Sequence, residues 1–110
     1  MTNAPPSVAT LFDVLSHARR RSIILAVACA PAGGVQLRTV AEFQYAIEHG
    51  VTPTAAATRS VTNLQTNLKQ SHLDPLEAAG CITRTGDQLH AGPTHGWALA
   101  LIAVAALVGA

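Results

Sequence analysis

Arg59, Ser60, Thr62, Asn63, Thr66, Asn67, Lys69 and Gln70 make a stretch rich in amides and hydroxyls, with little acidic charge nearby. Side chains of this length suit base edges: asparagine and glutamine match adenine, arginine matches guanine, and threonine meets a thymine methyl. Val61, Leu64 and Leu68 interrupt the run at helical spacing, so a single helix would bury those three and present the polar residues together. Any solvated helix face is polar. What favours double-stranded DNA here is the scarcity of carboxylates, which would repel phosphate.

Other basic groups are scattered. Arg19, Arg20 and Arg21 follow one another at a helix start, and neighbours about 100° apart cannot share one face. Some reach phosphates, with Arg20 the choice, or pair internally with Asp13, Glu42 or Glu48. Arg84 sits beside a hairpin tip, where a basic side chain can meet the DNA backbone or minor groove.

The remaining reactive residues point to little chemistry. His17, His49, His72, His90 and His95 lack a spacing that puts two ligands on one helix face, so no metal or other cofactor is indicated. His72 continues the Val61, Leu64, Leu68 stripe and reads as a hydrogen-bonded, half-buried histidine. Cys29 and Cys81 are far apart without CxxC spacing, and Cys81 takes the place of a small aliphatic residue. No GxSxG, Walker A or HExxH pattern occurs, so an enzyme is not expected.

The elements that must position these residues follow from periodicity and breakers. Ser7 caps a first helix with Val8, Leu11, Phe12 and Leu15 on one face. His17 to Ala30 is a second helix over Ile23, Ile24 and Val27, ended by Pro31-Ala32-Gly33-Gly34. Val35-Gln36 is a short strand, and a third helix runs from Leu37 to His49-Gly50. Thr52-Pro53 opens the fourth, with Asp74-Pro75 kinking or restarting it before Gly80. Cys81–Thr85 and Gln88–His90 flank Gly86-Asp87 as a type II′ hairpin. Two helices and a turn followed by a hairpin is the order of a helix-turn-helix with a wing.

The sequence 11–21 (LFDVLSHARRR) resembles the L-S-N-P-R-R-R opening of haloarchaeal ArsR-like winged-helix domains of unknown function. Residues 41–50 (AEFQYAIEHG) are similar to their second block, and 72–80 (HLDPLEAAG) to the H-L-P-x-L-x-x-A-G end of their recognition helix, with the proline one position later. The resemblance covers residues 8 to 90. It implies DNA binding and transcriptional control, with ArsR-like dimers packing through terminal helices.

The 110 residues give room for one domain, and a hydrophobic content of 49% supplies its core. The net charge of +1 argues against a polybasic or polyacidic tail, and 4% aromatic content argues against a base-stacking binder of single strands. Residues 1–7 read as a disordered start without a secretory pattern, which makes the cytoplasm the expected compartment. The expected fold class is mainly α with a small β-hairpin: a winged helix-turn-helix over residues 8–91, then an apolar C-terminal helix within 92–110. From Trp97 the chain has no polar face, so that helix should be buried all round. About 21 Å of helix falls short of the roughly 30 Å needed to cross a bilayer. Burial in a homodimer, through Leu11, Trp97, Leu99, Leu101, Ile102, Val104 and Leu107, is preferred to association with a membrane. A protein-interaction scaffold is the other functional reading, favoured by the near-neutral charge.

Overall fold

The computed structural model describes residues 7–109; the expectation of a disordered start concerns residues that, Ser7 apart, lie outside them. The Ser7 Oγ accepts from the Thr10 N–H at 3.1 Å and starts α1 (Val8–Val14). Leu11, Val14 and Leu15 are buried, while Val8 and Phe12 face outward, so the expected four-residue face is only half right. The short helix is turned to place Leu11, Val14 and Leu15, one i, i+3, i+4 set, against the core.

Helix α2 (Ala18–Cys29) lies between His17 and Ala30 and buries Ile23, Ile24 and Val27, as its spacing predicts. Pro31 then disfavours helical backbone at Ala30. Strand β1 (Val35–Gln36) leads straight into α3 (Leu37–His49), which stops at Gly50. The start signal at Thr52-Pro53 opens only a 3-10 turn, Pro53–Ala55. The fourth helix, α4 (Thr58–Asn67), begins later than the sequence suggests. Val61 and Leu64 on α4, and Leu68 just beyond it, are buried together.

Beyond Asn67 the chain widens into a π turn, Leu68–His72, and then tightens into α5 (Leu73–Ala78). Pro75 explains the arrangement. It carries no N–H for the carbonyl of Ser71, so the regular ladder cannot continue through it. The Leu73 N–H reaches back to the Leu68 carbonyl instead. Arg20 donates from Nη2 to the orphaned Ser71 carbonyl at 3.3 Å.

Strands β2 (Ile82–Thr85) and β3 (Gln88–Ala91) form the hairpin at the expected place, with Thr85 opposite Gln88. Gly86 holds φ +61° while Asp87 does not adopt positive φ, as a glycine-first two-residue turn requires. Strand β1 adds to the other side of β3 through Val35 opposite Leu89, giving an antiparallel sheet in the order β1-β3-β2. At the exit from β3, a Cβ on Gly92 would strike the backbone of Gly80, so this corner closes only around glycine. Helix α6 (His95–Gly109) starts with His95, whose Nε2 donates to the Ile24 carbonyl at 3.1 Å. Ile23, Ile24, Leu37, Leu68, Leu73, Leu76, Ile82 and Leu89 make the fully enclosed centre of the core.

The expected fold class needs correction. The molecule is mainly helical with a small open antiparallel sheet, and its fourth helix is an α, π, α succession rather than one rod. The C-terminal helix is not buried on all sides: residues 103–109 are all exposed. Among the described residues no helix is long and apolar enough to cross a membrane.

Candidate nucleic-acid interface

Helix α4 owes its orientation to the Val61 and Leu64 side chains it buries, to Leu68 just beyond it, and to polar ties from both sides. From α3, Arg38 donates through Nη1 to the Thr62 Oγ1 at 2.8 Å. From α2, Arg19 donates through Nη1 to the Asn67 Oδ1 at 2.7 Å. The same guanidinium grips Glu48 on α3 through Nε at 2.7 Å and Nη2 at 2.8 Å. Gln44 adds a bond from Nε2 to the Glu48 Oε2 at 2.6 Å. One arginine thus fastens α2, α3 and α4. The paired guanidinium lowers the Glu48 pKa against the opposing effect of burial, and the carboxylate raises that of Arg19.

On the outer side of α4, Arg59, Thr62, Asn63 and Thr66 are exposed, following one another at i, i+3, i+4 and i+7. Thr66 turns its hydroxyl back onto the Thr62 carbonyl at 3.0 Å, leaving its methyl as the contact group. Ser60 and Asn67 are half-buried beside the end of α3. There Ser60 and Asn63 line an open hollow of about 370 Å³ with Tyr45 and His49. These two rings stack at 4.0 Å, an i, i+4 pair that was present in the sequence and not read. Arg38 was missed too; nothing in its local sequence distinguishes it, because its partner belongs to another helix. Between Glu48 and Asp74 the chain carries no carboxylate at all.

The other expected contacts are placed differently. Lys69 and Gln70 lie on the π turn, both exposed, with the Lys69 ammonium 3.0 Å from the Asp87 carboxylate at the hairpin tip. Arg84 is held on β2 by Asp74 and Glu77 of the α5 helix, each at 3.1 Å. Arg20 turns inward: besides Ser71 it reaches the Val14 carbonyl at 3.3 Å and the His72 Nδ1 at 3.2 Å. Arg21 donates to the Leu15 carbonyl at 2.8 Å. These two arginines therefore serve the carbonyl end of α1. His72 is half-buried and bonded, as its place in the stripe suggests. Burial, then Arg20, His17 and Arg19, lower its pKa.

Of the residues expected at a dimer surface, Leu11 lies inside its own subunit's core. Leu99, Leu101 and Ile102 are half-buried against that core, and Trp97, Val104 and Leu107 are exposed. Cys81 is fully buried, and burial pushes its thiol pKa up against a hydrogen bond from Thr94. Among the described residues no group of three or more His, Cys, Asp or Glu side chains is placed to hold a metal ion.

Packed helices with a small hairpin are consistent, at that coarse level, with a winged-helix-type arrangement. Comparison with known families is more definite. Residues 12–88 match the family described as Domain of unknown function (DUF7344), so the chain belongs to that family. The match covers most of the segment in which the sequence resembles haloarchaeal domains. No curated protein and no solved structure matches the chain.

Proposed function

We propose that this chain is a DNA-binding transcriptional regulator, acting as a homodimer and without catalysis, that reads duplex DNA through α4. The observation that carries the reading is the outer face of that helix. Arg59, Thr62, Asn63 and Thr66 project from a rigidly tied helix, within a stretch free of carboxylates. Arg59 suits guanine, Asn63 adenine, and the Thr66 methyl thymine. Lys69 and Gln70 extend the face past the π turn, where the Lys69–Asp87 pair links it to the hairpin. A dimer would present two such helices to half-sites about one turn apart.

A second reading has its own support. Arg84 is matched by two carboxylates and Lys69 by one, which leaves the hairpin side of the molecule close to neutral. That charge pattern suits a protein-interaction scaffold better than a strong binder of phosphate. Gel shifts against a genomic fragment library, at low and moderate salt, separate the two. The regulator retains specific fragments and loses them with Arg59→Ala or Asn63→Ala. A scaffold retains none at either salt.

A further inference from the structure

Two apolar features are left uncovered within one copy of the chain. The first is the end of α6. The helix is anchored by His95 and Ala98, its middle leans on the core through Leu99, Leu101 and Ile102, and from Ala103 to Gly109 every residue is exposed. Val104 (55% exposed), Leu107 (79%) and Val108 (80%) fall at i, i+3 and i+4, one stripe on a projecting helix. The second is a groove of about 420 Å³ between α2 and α3, walled by Leu25, Val35, Val40, Phe43 and Ile47, with Cys29 at its side. Leu25, Phe43 and Ile47 are all exposed there.

We infer that this groove receives the last turns of α6 from a second copy of the chain, with the exchange made reciprocally. The chemistry of the two surfaces agrees. The groove is lined without a charged side chain, and α6 carries none, so neither surface would strip an ion of water in closing. An amphipathic recognition helix normally engages such a groove through anchors at the spacing shown by Val104, Leu107 and Val108. Its own copy cannot supply the match, because the α6 tail and the groove are both exposed in the same molecule. Covering Trp97 and the six large side chains of stripe and rim would remove an area on the order of the ~800 Å² per partner found in standard interfaces.

This inference rests on the homodimer part of the proposed function, and it specifies which surfaces meet. The full-length Leu107→Cys variant tests it, because the exposed thiol of Cys29 lies in the groove while Cys81 is buried. Mild oxidation should give a covalent dimer on a non-reducing gel, with peptide mapping joining the introduced thiol to Cys29. The covalent dimer should disappear in the Cys29→Ser, Leu107→Cys double variant. Light scattering should show a dimer for the wild type and a monomer for Ile47→Glu. A covalent dimer that survives Cys29→Ser would mean that α6 meets α6, and a dimeric Ile47→Glu would likewise overturn the groove while leaving the homodimer standing. A monomeric wild type would overturn both. Retention of DNA, measured on the same preparations, bears only on the α4 reading.

Discussion

Arg19 ties three helices together, since its guanidinium on α2 joins Glu48 on α3 and Asn67 on α4. Both ends of the Arg19–Glu48 pair are partly solvated, so it should contribute about 0.5–1 kcal/mol, within the range of surface ion pairs. Glu48→Gln should lower the urea midpoint accordingly at pH 7. A carboxylate whose folded pKa is lowered stabilises above its unfolded value and loses that contribution as pH falls through the folded one. The gap between wild type and variant should therefore close in acid, below about pH 4. His72 works in a higher window. Its folded pKa is also lowered, so the unfolded chain takes up the proton first and stability declines as pH drops below about 6.5. Thermal melts should fall between pH 7 and pH 5 in the wild type, and less steeply in His72→Asn. That variant keeps an acceptor for Arg20 but does not titrate. The sequence showed His72 as a bonded, half-buried histidine and offered Glu48 as one of three partners for the arginine run. It could not show the inward turn of Arg20, one of whose three acceptors is a carbonyl made available by Pro75.

At the scale of elements, the breakers were legible and the irregular turns less so. Pro31, Gly50 and the Gly86-Asp87 pair mark the ends and the turn that the structure shows. Thr52-Pro53 has the composition of a helix start, but it opens a single 3-10 turn because Ala56 and Ala57 are extended before α4 begins. The π turn was half legible: Asp74-Pro75 announced a disturbance, while the guanidinium that meets the freed Ser71 carbonyl comes from a distant helix. Arg20→Ala should remove the bonds to Val14, Ser71 and His72 and, because water can reach the exposed Ser71 carbonyl, lower stability by about 0.5–1.5 kcal/mol, read as a shift in denaturant midpoint. Gly92 presents a sharper test of the corner between β3 and α6. Gly92→Ala drives a methyl into the Gly80 backbone, where no flexible side chain can give way. A loss of about 1–3 kcal/mol, with melting several degrees lower, is expected.

For the whole molecule, the apolar C-terminal helix is where sequence and structure part most clearly. An unbroken apolar run implies burial on every side, yet within one copy the burial ends at Ile102, because a single chain supplies only one surface for α6 to lean on. Deleting residues 97–110 should therefore leave a monomeric or aggregating domain in light scattering. Charge is the other property of this scale. A net charge of +1 on a chain in which Arg19, Lys69 and Arg84 are matched by carboxylates predicts modest, salt-sensitive affinity for DNA, with Arg59 and Asn63 of α4 providing the discrimination. The most direct measurement is a titration of a duplex selected from the genomic library, followed by fluorescence anisotropy at low and moderate salt, with wild type and Asn63→Ala side by side. The account predicts roughly 10- to 100-fold weaker binding of the selected duplex by the variant, with equal binding of unrelated duplexes, as loss of one base contact of about 1–3 kcal/mol requires. Equal affinity of the two proteins for the selected duplex, or no binding by the wild type at either salt, would contradict it.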